Sequence, residues 1–253
     1  MELSQPIPSA ATSTRQSVRA MKIRTQIAKI FYEYKHRHLP RIKTDDANSY
    51  ASHGQDTFVA ECLPNQAGNR LFVEIGGNNG ITLSNTYLLE SELGWQGISV
   101  EPLPRAYQEL KKNRNCITIN GAVAEYDGKT SFYAISGGPE MLSGIPDKYD
   151  RRHKRRVRKN LKRQNATAEE ITVPCFRLDT ILKEHDIDHI DYLSIDTEGG
   201  ELDILKSIDF NAVPISLISV ENNYFTNEIE EFMEAHGYRM VGIAGKDEFY
   251  LAS

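Results

Sequence analysis

The chain has 253 residues, of which 40% are hydrophobic and 26% charged, enough for one α/β domain with an extension and too few for two full domains. No apolar run reaches the roughly 20 residues that cross a bilayer, and the start lacks a secretory hydrophobic region. The net charge of −5 argues on average against a nucleic-acid partner, yet it hides a segregated run with nine Lys or Arg and no carboxylate between Arg151 and Arg163.

Residues 1–14, rich in Ser, Pro, Ala and Thr, predict a disordered tail. Residues 15–50 read as a basic, helical extension. From Arg15 to about His38, the residues Val18, Met21, Ile27, Ile30, Phe31 and Tyr34 recur at three- and four-residue spacing, and Pro40 stops the pattern. The expectation is a helix packing this face on the main domain. The competing reading is a basic amphipathic helix on an anionic membrane, which leaves a peripheral membrane contact open.

Residues 51–253 then alternate strand and helix. Leu71–Ile75 is a short apolar run entering Gly-rich sequence, hence a buried strand. Helices are expected over Thr82–Glu92, Pro104–Asn113, Asp179–His185, Glu201–Ser207 and Asn227–His236. Strands are expected over Gly97–Glu101, Ile117–Asn120, Tyr192–Asp196 and Ile215–Val220. Thr130–Ile135 and Ile171–Phe176 read as extra strands, the second at an edge because of Pro174. Tyr238–Ala244 and Glu248–Ala252, joined by a Gly-Lys-Asp turn, form a terminal hairpin. Such alternation implies a mostly parallel sheet covered on both faces. Cys62, Cys116 and Cys175 are far apart and form no CxxC pair, so they read as thiols of a reducing, cytoplasmic setting.

In sheets of this kind the ligand sits beyond the carboxyl ends of the strands. After the first strand comes Glu74-Ile75-Gly76-Gly77-Asn78-Asn79-Gly80, whose glycines permit a tight turn and a close ligand approach. Glu74 offers a carboxylate to an ammonium group. Glu101 follows the second strand, 21 residues beyond Gly80, at the spacing from which a carboxylate accepts both ribose hydroxyls. A dinucleotide fingerprint would need glycines where Asn78 and Ile81 stand, and those glycines serve a pyrophosphate. An acidic, asparagine-containing loop fits S-adenosylmethionine, which carries an amino-acid tail and a sulfonium but no phosphate.

The blocks FVEIGGNNGITLSNTYLLE (72–90), GWQGISVEPLPRAYQEL (94–110), INGAVAE (119–125), LDTIL (178–182), IDYLSIDTEGGELDIL (190–205) and ISVEN (218–222) resemble the FkbM-type methyltransferase family in order and spacing. Ser52-His53-Gly54-Gln55-Asp56 is similar to an entry motif of many members, so the resemblance runs from about residue 50 to the end. It implies a class I methyltransferase fold: a Rossmann-like, seven-stranded, mostly parallel sheet with a C-terminal hairpin. It also implies S-adenosylmethionine-dependent O-methyl transfer to a hydroxyl of a sugar, glycan or secondary metabolite. By the same carry-over, Glu74, Gly76, Asn78 and Gly80 would hold the methionine end, Glu101 the ribose, and Asn120 to Ala122 would lie near the adenine. The first acid is Glu rather than the commoner Asp, and Gly77 and Asn79 stand where Ala and Asp are more usual.

An alcohol acceptor must lose a proton, so a base or a metal is needed at the mouth of the fourth and fifth main strands. Asp196, Glu198 and Glu201 follow one, and Glu221, Asn222 and Asn223 the other. In one reading Asp196 or Glu221 is the general base, with Glu198 beside it. In the other, Asp196, Glu221 and Asn222 hold a hard divalent cation such as Mg²⁺, a set that resembles metal-dependent catechol-type O-methyltransferases. Glu201 reads as a first-turn helix carboxylate. His185 and His189, like His36 and His38, read as solvated; His53, beside Gly54-Gln55-Asp56, is the histidine to watch.

Residues 136–170 exceed an ordinary connection and read as a lid or binding loop. The Arg151–Arg163 run within them points to an anionic partner, read first as a small-molecule or glycan acceptor. The alternative is a nucleic-acid-binding protein or RNA methyltransferase, which the scarcity of aromatics beside the run disfavours.

Overall fold

The computed structural model describes residues 26, 28–42, 49–63 and 70–253. The expected disordered tail, residues 1–14, lies outside the described residues. In chain order a helix α1 (described over 28–35) leads into β1 (Arg41–Ile42), α2 (Gln55–Cys62), β2 (Leu71–Ile75), α3 (Tyr87–Ser91), β3 (Gln96–Glu101), α4 (Pro104–Asn113) and β4 (Ile117–Asn120). Next come β5 (Ala122–Val123), β6 (Gly128–Ser136), α5 (Arg151–Gln164), β7 (Thr167–Phe176) and α6 (Leu178–Glu184). The chain closes with β8 (Ile190–Ile195), α7 (Glu201–Lys206), β9 (Ile215–Glu221), α8 (Glu228–Ala235), β10 (Tyr238–Ala244) and β11 (Asp247–Ala252).

The main sheet has eight strands in the order β1-β10-β11-β9-β8-β2-β3-β4, and only β11 runs antiparallel to its neighbours. Seven of these strands are the expected sheet. The eighth is the two-residue β1, which pairs Arg41 and Ile42 with Ile243 and Ala244 at the edge. The central strands read as continuous apolar runs because helices cover both faces. Val73, Ile98, Leu193 and Ile218 pack in one core with α6, α7 and α8. Phe72, Tyr192, Leu217 and Phe249 pack on the other face with α2 and α3. Strand order reverses between β2 and β8, so their carboxyl ends open the crevice where ligands bind in such sheets.

Residues 122–176 build a second layer beside that crevice. β5, β7 and β6 form a three-stranded sheet, with β6 and β7 paired antiparallel from Gly128↔Cys175 to Ser136↔Thr167. Here β7 is central rather than an edge strand, which corrects the expectation drawn from Pro174. The proline is accommodated because β5 pairs only with Cys175 and Phe176, leaving Pro174 exposed on that side. Two 3₁₀ turns, Glu140–Leu142 and Pro146–Lys148, and then α5 connect β6 to β7. Ile135, Leu142, Tyr149 and Val157 pack together beneath this cover.

Two further expectations change. The helix expected over Thr82–Glu92 begins only at Tyr87, because the Ser84 hydroxyl and the Asn85 amide donate to Glu74 and Leu83 takes a positive φ of 62°. In α1 the packed face is the opposite of the one expected. Tyr32 and His36 are buried, donating to or bonding Glu248 and Glu230, whereas Ile30, Phe31 and Tyr34 are 58%, 69% and 66% exposed. Polar anchoring to buried carboxylates outweighs the apolar periodicity. Among the described residues, no helix is long and apolar enough to cross a membrane.

Candidate active site

A cavity of about 310 Å³ lies at the carboxyl ends of β2, β3, β8 and β9, roofed by the second layer. That volume is at the small end of the usual range for small-molecule sites. Its walls divide into a backbone-rich half, from Gly76 to Phe132, and a charged half, from Asp196 to Asp247.

The backbone-rich half starts where β2 ends. Gly76 has φ 97°, and a Cβ there would stand 2.0 Å from the Asp196 carbonyl oxygen; at Gly77 it would stand 2.1 Å from the Ser99 hydroxyl. Only glycine lets the loop seat against β8 and β3 at once. Asn78 also takes a positive φ, 46°, and its amide donates to Glu101 Oε2 at 2.8 Å. The Leu103 amide donates to Glu101 Oε1 at 2.7 Å. Each oxygen of Glu101 thus accepts one backbone bond and retains a second lone pair, and the residue lines the cavity. Burial pushes its pKa up to about 7, against the lowering effect of those two amides. Pro102, Leu103, Ala122, Phe132 and Ile145 complete this half with apolar surface.

Of the residues expected to hold a cofactor, Gly76, Asn78, Glu101 and Ala122 line the cavity, and Glu74, Gly80 and Asn120 do not. Glu74 is turned behind the loop. It accepts from Ser84, the Asn85 amide and Ser99 at 2.8–3.0 Å and pairs with the fully buried Arg114 at 3.2 Å. Arg114 also bonds the Gly80 carbonyl at 3.2 Å, Thr86 at 2.9 Å and Glu90 at 2.5 Å. The acid at position 74 therefore braces the loop from beneath. Gly80 backs onto Arg114 and Leu110, and Asn120 donates to the Glu101 carbonyl at 2.9 Å, shaping the end of β3.

The charged half gathers Asp196, Glu198, Glu221 and Asp247 with Arg156, Lys246, Lys148, Gln55 and His53. Asp196 is exposed to the cavity, with protein packed closely behind it. Its pKa rises well above the usual carboxylate range, through desolvation first and then through Glu221, Asp247, Glu198 and Glu201. Glu198, at φ 58°, accepts from Arg156 at 2.9 Å and from Asn223 at 3.3 Å, and stands 3.5 Å from His153. Burial and Glu221 raise its pKa to about 8 despite Arg156. Glu221 bonds Asn223 and lies 3.4 Å from Lys246. Glu201 does not line the cavity. As expected, it is a first-turn carboxylate, accepting from the Thr197 and Gly199 amides at 3.1 and 2.8 Å.

The expected metal set does not assemble. Side chains alternate across a strand, so Asn222 points to the face opposite Glu221. Asn222 is buried there, donating to the Thr226 carbonyl at 2.7 Å and to Glu248 at 2.6 Å. Among the described residues, no group of three or more His, Cys, Asp or Glu side chains is arranged to hold a metal ion.

Sequence reading missed Asp247 and Lys246, which it assigned to a hairpin turn. The register supplies the missing signal: Asp247 pairs with Glu221 and so shares its face. Gln55, from the Ser52–Asp56 motif, donates to Asp247 at 2.5 Å, and Asp56 pins the loop before α2 by accepting from Ser49 at 2.6 Å and the Tyr50 amide at 2.8 Å. His53 lines the cavity with its ring over Gly245. Of the basic run, only Arg156 lines the cavity.

The Methyltransferase FkbM domain model matches residues 74–240. A curated relative, the methyltransferase sdnD of Sordaria araneosa, is 25% identical over 182 residues, covering 61% of this chain and 67% of its own. Among solved structures, an FkbM methyltransferase from Methylobacillus flagellatus KT aligns with TM-score 0.45 and 13% identity, over 75% of this chain and 45% of that one. The N-terminal domain of human METTL16 in complex with SAH aligns with TM-score 0.40 and 14% identity, over 78% of this chain and 65% of that one. The sheet order and the cavity at its switch point are those of an α/β methyltransferase, and the chain belongs to the FkbM methyltransferase family.

Proposed function

We propose that this methyltransferase uses S-adenosylmethionine and methylates a hydroxyl of a sugar, glycan or secondary-metabolite acceptor. The observation that carries the reading is the contact of Gly76 with Asp196, which joins the Glu101 half and the carboxylate half in one cavity. When bound, S-adenosylmethionine supplies a methyl group made electrophilic by its sulfonium. Glu101 suits its ribose, because each carboxylate oxygen keeps a lone pair for a hydroxyl while backbone amides fix its plane. The apolar wall of Leu103, Ala122 and Phe132 suits the adenine, and the Gly76–Asn78 backbone suits the amino-acid tail.

Asp196 is the base in this reading. Its raised proton affinity would fit it to take the proton of an acceptor hydroxyl set against it. Glu198, Glu221 and Asp247 sustain that affinity by repulsion, and Gln55 holds Asp247 in place. Glu198 holds Arg156 at the cavity wall, where its guanidinium would meet an anionic group on the acceptor. A screen of sugars, nucleotide sugars and phenolic metabolites, read by mass spectrometry, tests the reading. Addition of one methyl to an oxygen is expected, whereas methylation only of nitrogen or carbon would refute it. Asp196→Asn should lower kcat by about 10²–10⁴-fold with cofactor affinity retained.

A further inference from the structure

We propose that α1 and α5 together form a docking surface for an anionic lipid bilayer. The loop after β9 brings the two helices to one end of the molecule. Arg152 of α5 stacks over Tyr224 at 4.0 Å, and Lys29 of α1 stands over Phe225 at 5.5 Å. The same loop carries Asn223, which bonds the cavity residues Glu198 and Arg156, so the surface borders the candidate active site.

The two helices contribute different chemistry. α5 is capped by Asp150, which accepts from the His153 amide at 2.6 Å, and anchored by His153 and Val157. Its 14 residues span about 21 Å. Arg151, Lys154, Arg158, Lys159, Lys162 and Arg163 are exposed, and at 100° per residue they fall on one side of the helix. On α1, Ile30, Phe31 and Tyr34 form an exposed apolar arc opposite the buried Tyr32 and His36. Arg37 stacks on Tyr34 at 4.1 Å, at the end of that arc. The sequence from Arg15 to Arg41 carries eight Lys or Arg and one carboxylate, Glu33.

A row of cations alone would suit any polyanion. Exposed Ile and Phe beside those cations add something a polyanion does not use: apolar side chains that gain by entering the boundary between headgroups and acyl chains. Basic residues near an anionic leaflet each add attraction that salt screens. This pairing of charge complementarity with an unpartnered apolar arc selects the bilayer over RNA. The surface requires neither the cofactor nor the acceptor reading, so its failure and theirs are separable.

The test is sedimentation of the full chain with phosphatidylcholine vesicles, with and without phosphatidylserine. Binding to the anionic vesicles only, weakened by salt, is expected. Arg158→Gln/Lys159→Gln/Lys162→Gln should weaken it about a hundredfold. Ile30→Ser/Phe31→Ser should weaken it by about tenfold or more, the cost of losing two buried apolar side chains. All five positions are exposed, so an unchanged Tm is expected and separates loss of binding from loss of fold. The inference is overturned by equal binding to both vesicles, by binding to neither, by variants that bind as the parent does, or by binding of single-stranded RNA with the vesicles left unbound.

Discussion

Glu101 and Asp196 show how a carboxylate acquires its task from its surroundings. Both are pushed upward by burial, but Glu101 meets two backbone amides and Asp196 meets other carboxylates. The first is fixed in orientation, as a hydrogen-bond acceptor for a ligand must be; the second is poised to accept a proton. Glu201 provides the clearest test of this electrostatic picture, because it holds a turn and does not line the cavity. Its folded-state pKa of about 7 lies above the ordinary 4.5, so the folded protein binds the extra proton more tightly than the unfolded chain. The stability this gives is present below the ordinary value and is lost as pH rises through about 7. Glu201→Gln keeps an oxygen for the two amides and removes the charge. It should therefore raise Tm near about pH 9 and change it little near about pH 5, in thermal unfolding followed by circular dichroism.

At the scale of elements, the loop after β2 is held from below by an ion-pair cluster. Arg114, on the turn after α4, reaches Glu74, Glu90 and the Gly80 carbonyl at once. Arg114→Met leaves two buried carboxylates without their cation and should cost about 3–5 kcal/mol in denaturant unfolding, with cofactor affinity falling as the loop loosens. The strands were legible in the sequence because their apolar runs and Gly-rich exits are local signals. The role of Glu74 was not, since a carboxylate after a strand reads as ligand-facing until its partner, forty residues away, is known. Asn222 failed for the opposite reason: its neighbour Glu221 faces the cavity, and alternation turns Asn222 away. In α1 the spacing of Ile30, Phe31 and Tyr34 correctly marked one face, but spacing does not say which side meets the protein. Tyr32 and His36 decide that through Glu248 and Glu230. Tyr32→Phe should loosen this docking and lower Tm, by roughly 1–3 kcal/mol in stability for the one bond lost to a buried carboxylate that Asn222 and Tyr250 still hold.

For the whole molecule, the doubly wound sheet makes a crevice, the second layer from Ala122 to Phe176 roofs it, and the terminal hairpin returns Asp247 to complete the far wall. Two halves of different chemistry then share one cavity: backbone and apolar surface around Glu101, and carboxylates around Asp196. The proposed reaction requires that the first half bind S-adenosylmethionine. Calorimetric titration of the full chain with S-adenosylmethionine, beside Glu101→Gln and with NAD as a control, tests it most directly. One site per chain is predicted, weakened about tenfold or more in the variant, which carries an amide donor where a hydroxyl needs an acceptor, with no binding of NAD. Undetectable binding of S-adenosylmethionine, equal affinity in the variant, or tight binding of NAD would rule out this role for the Glu101 half.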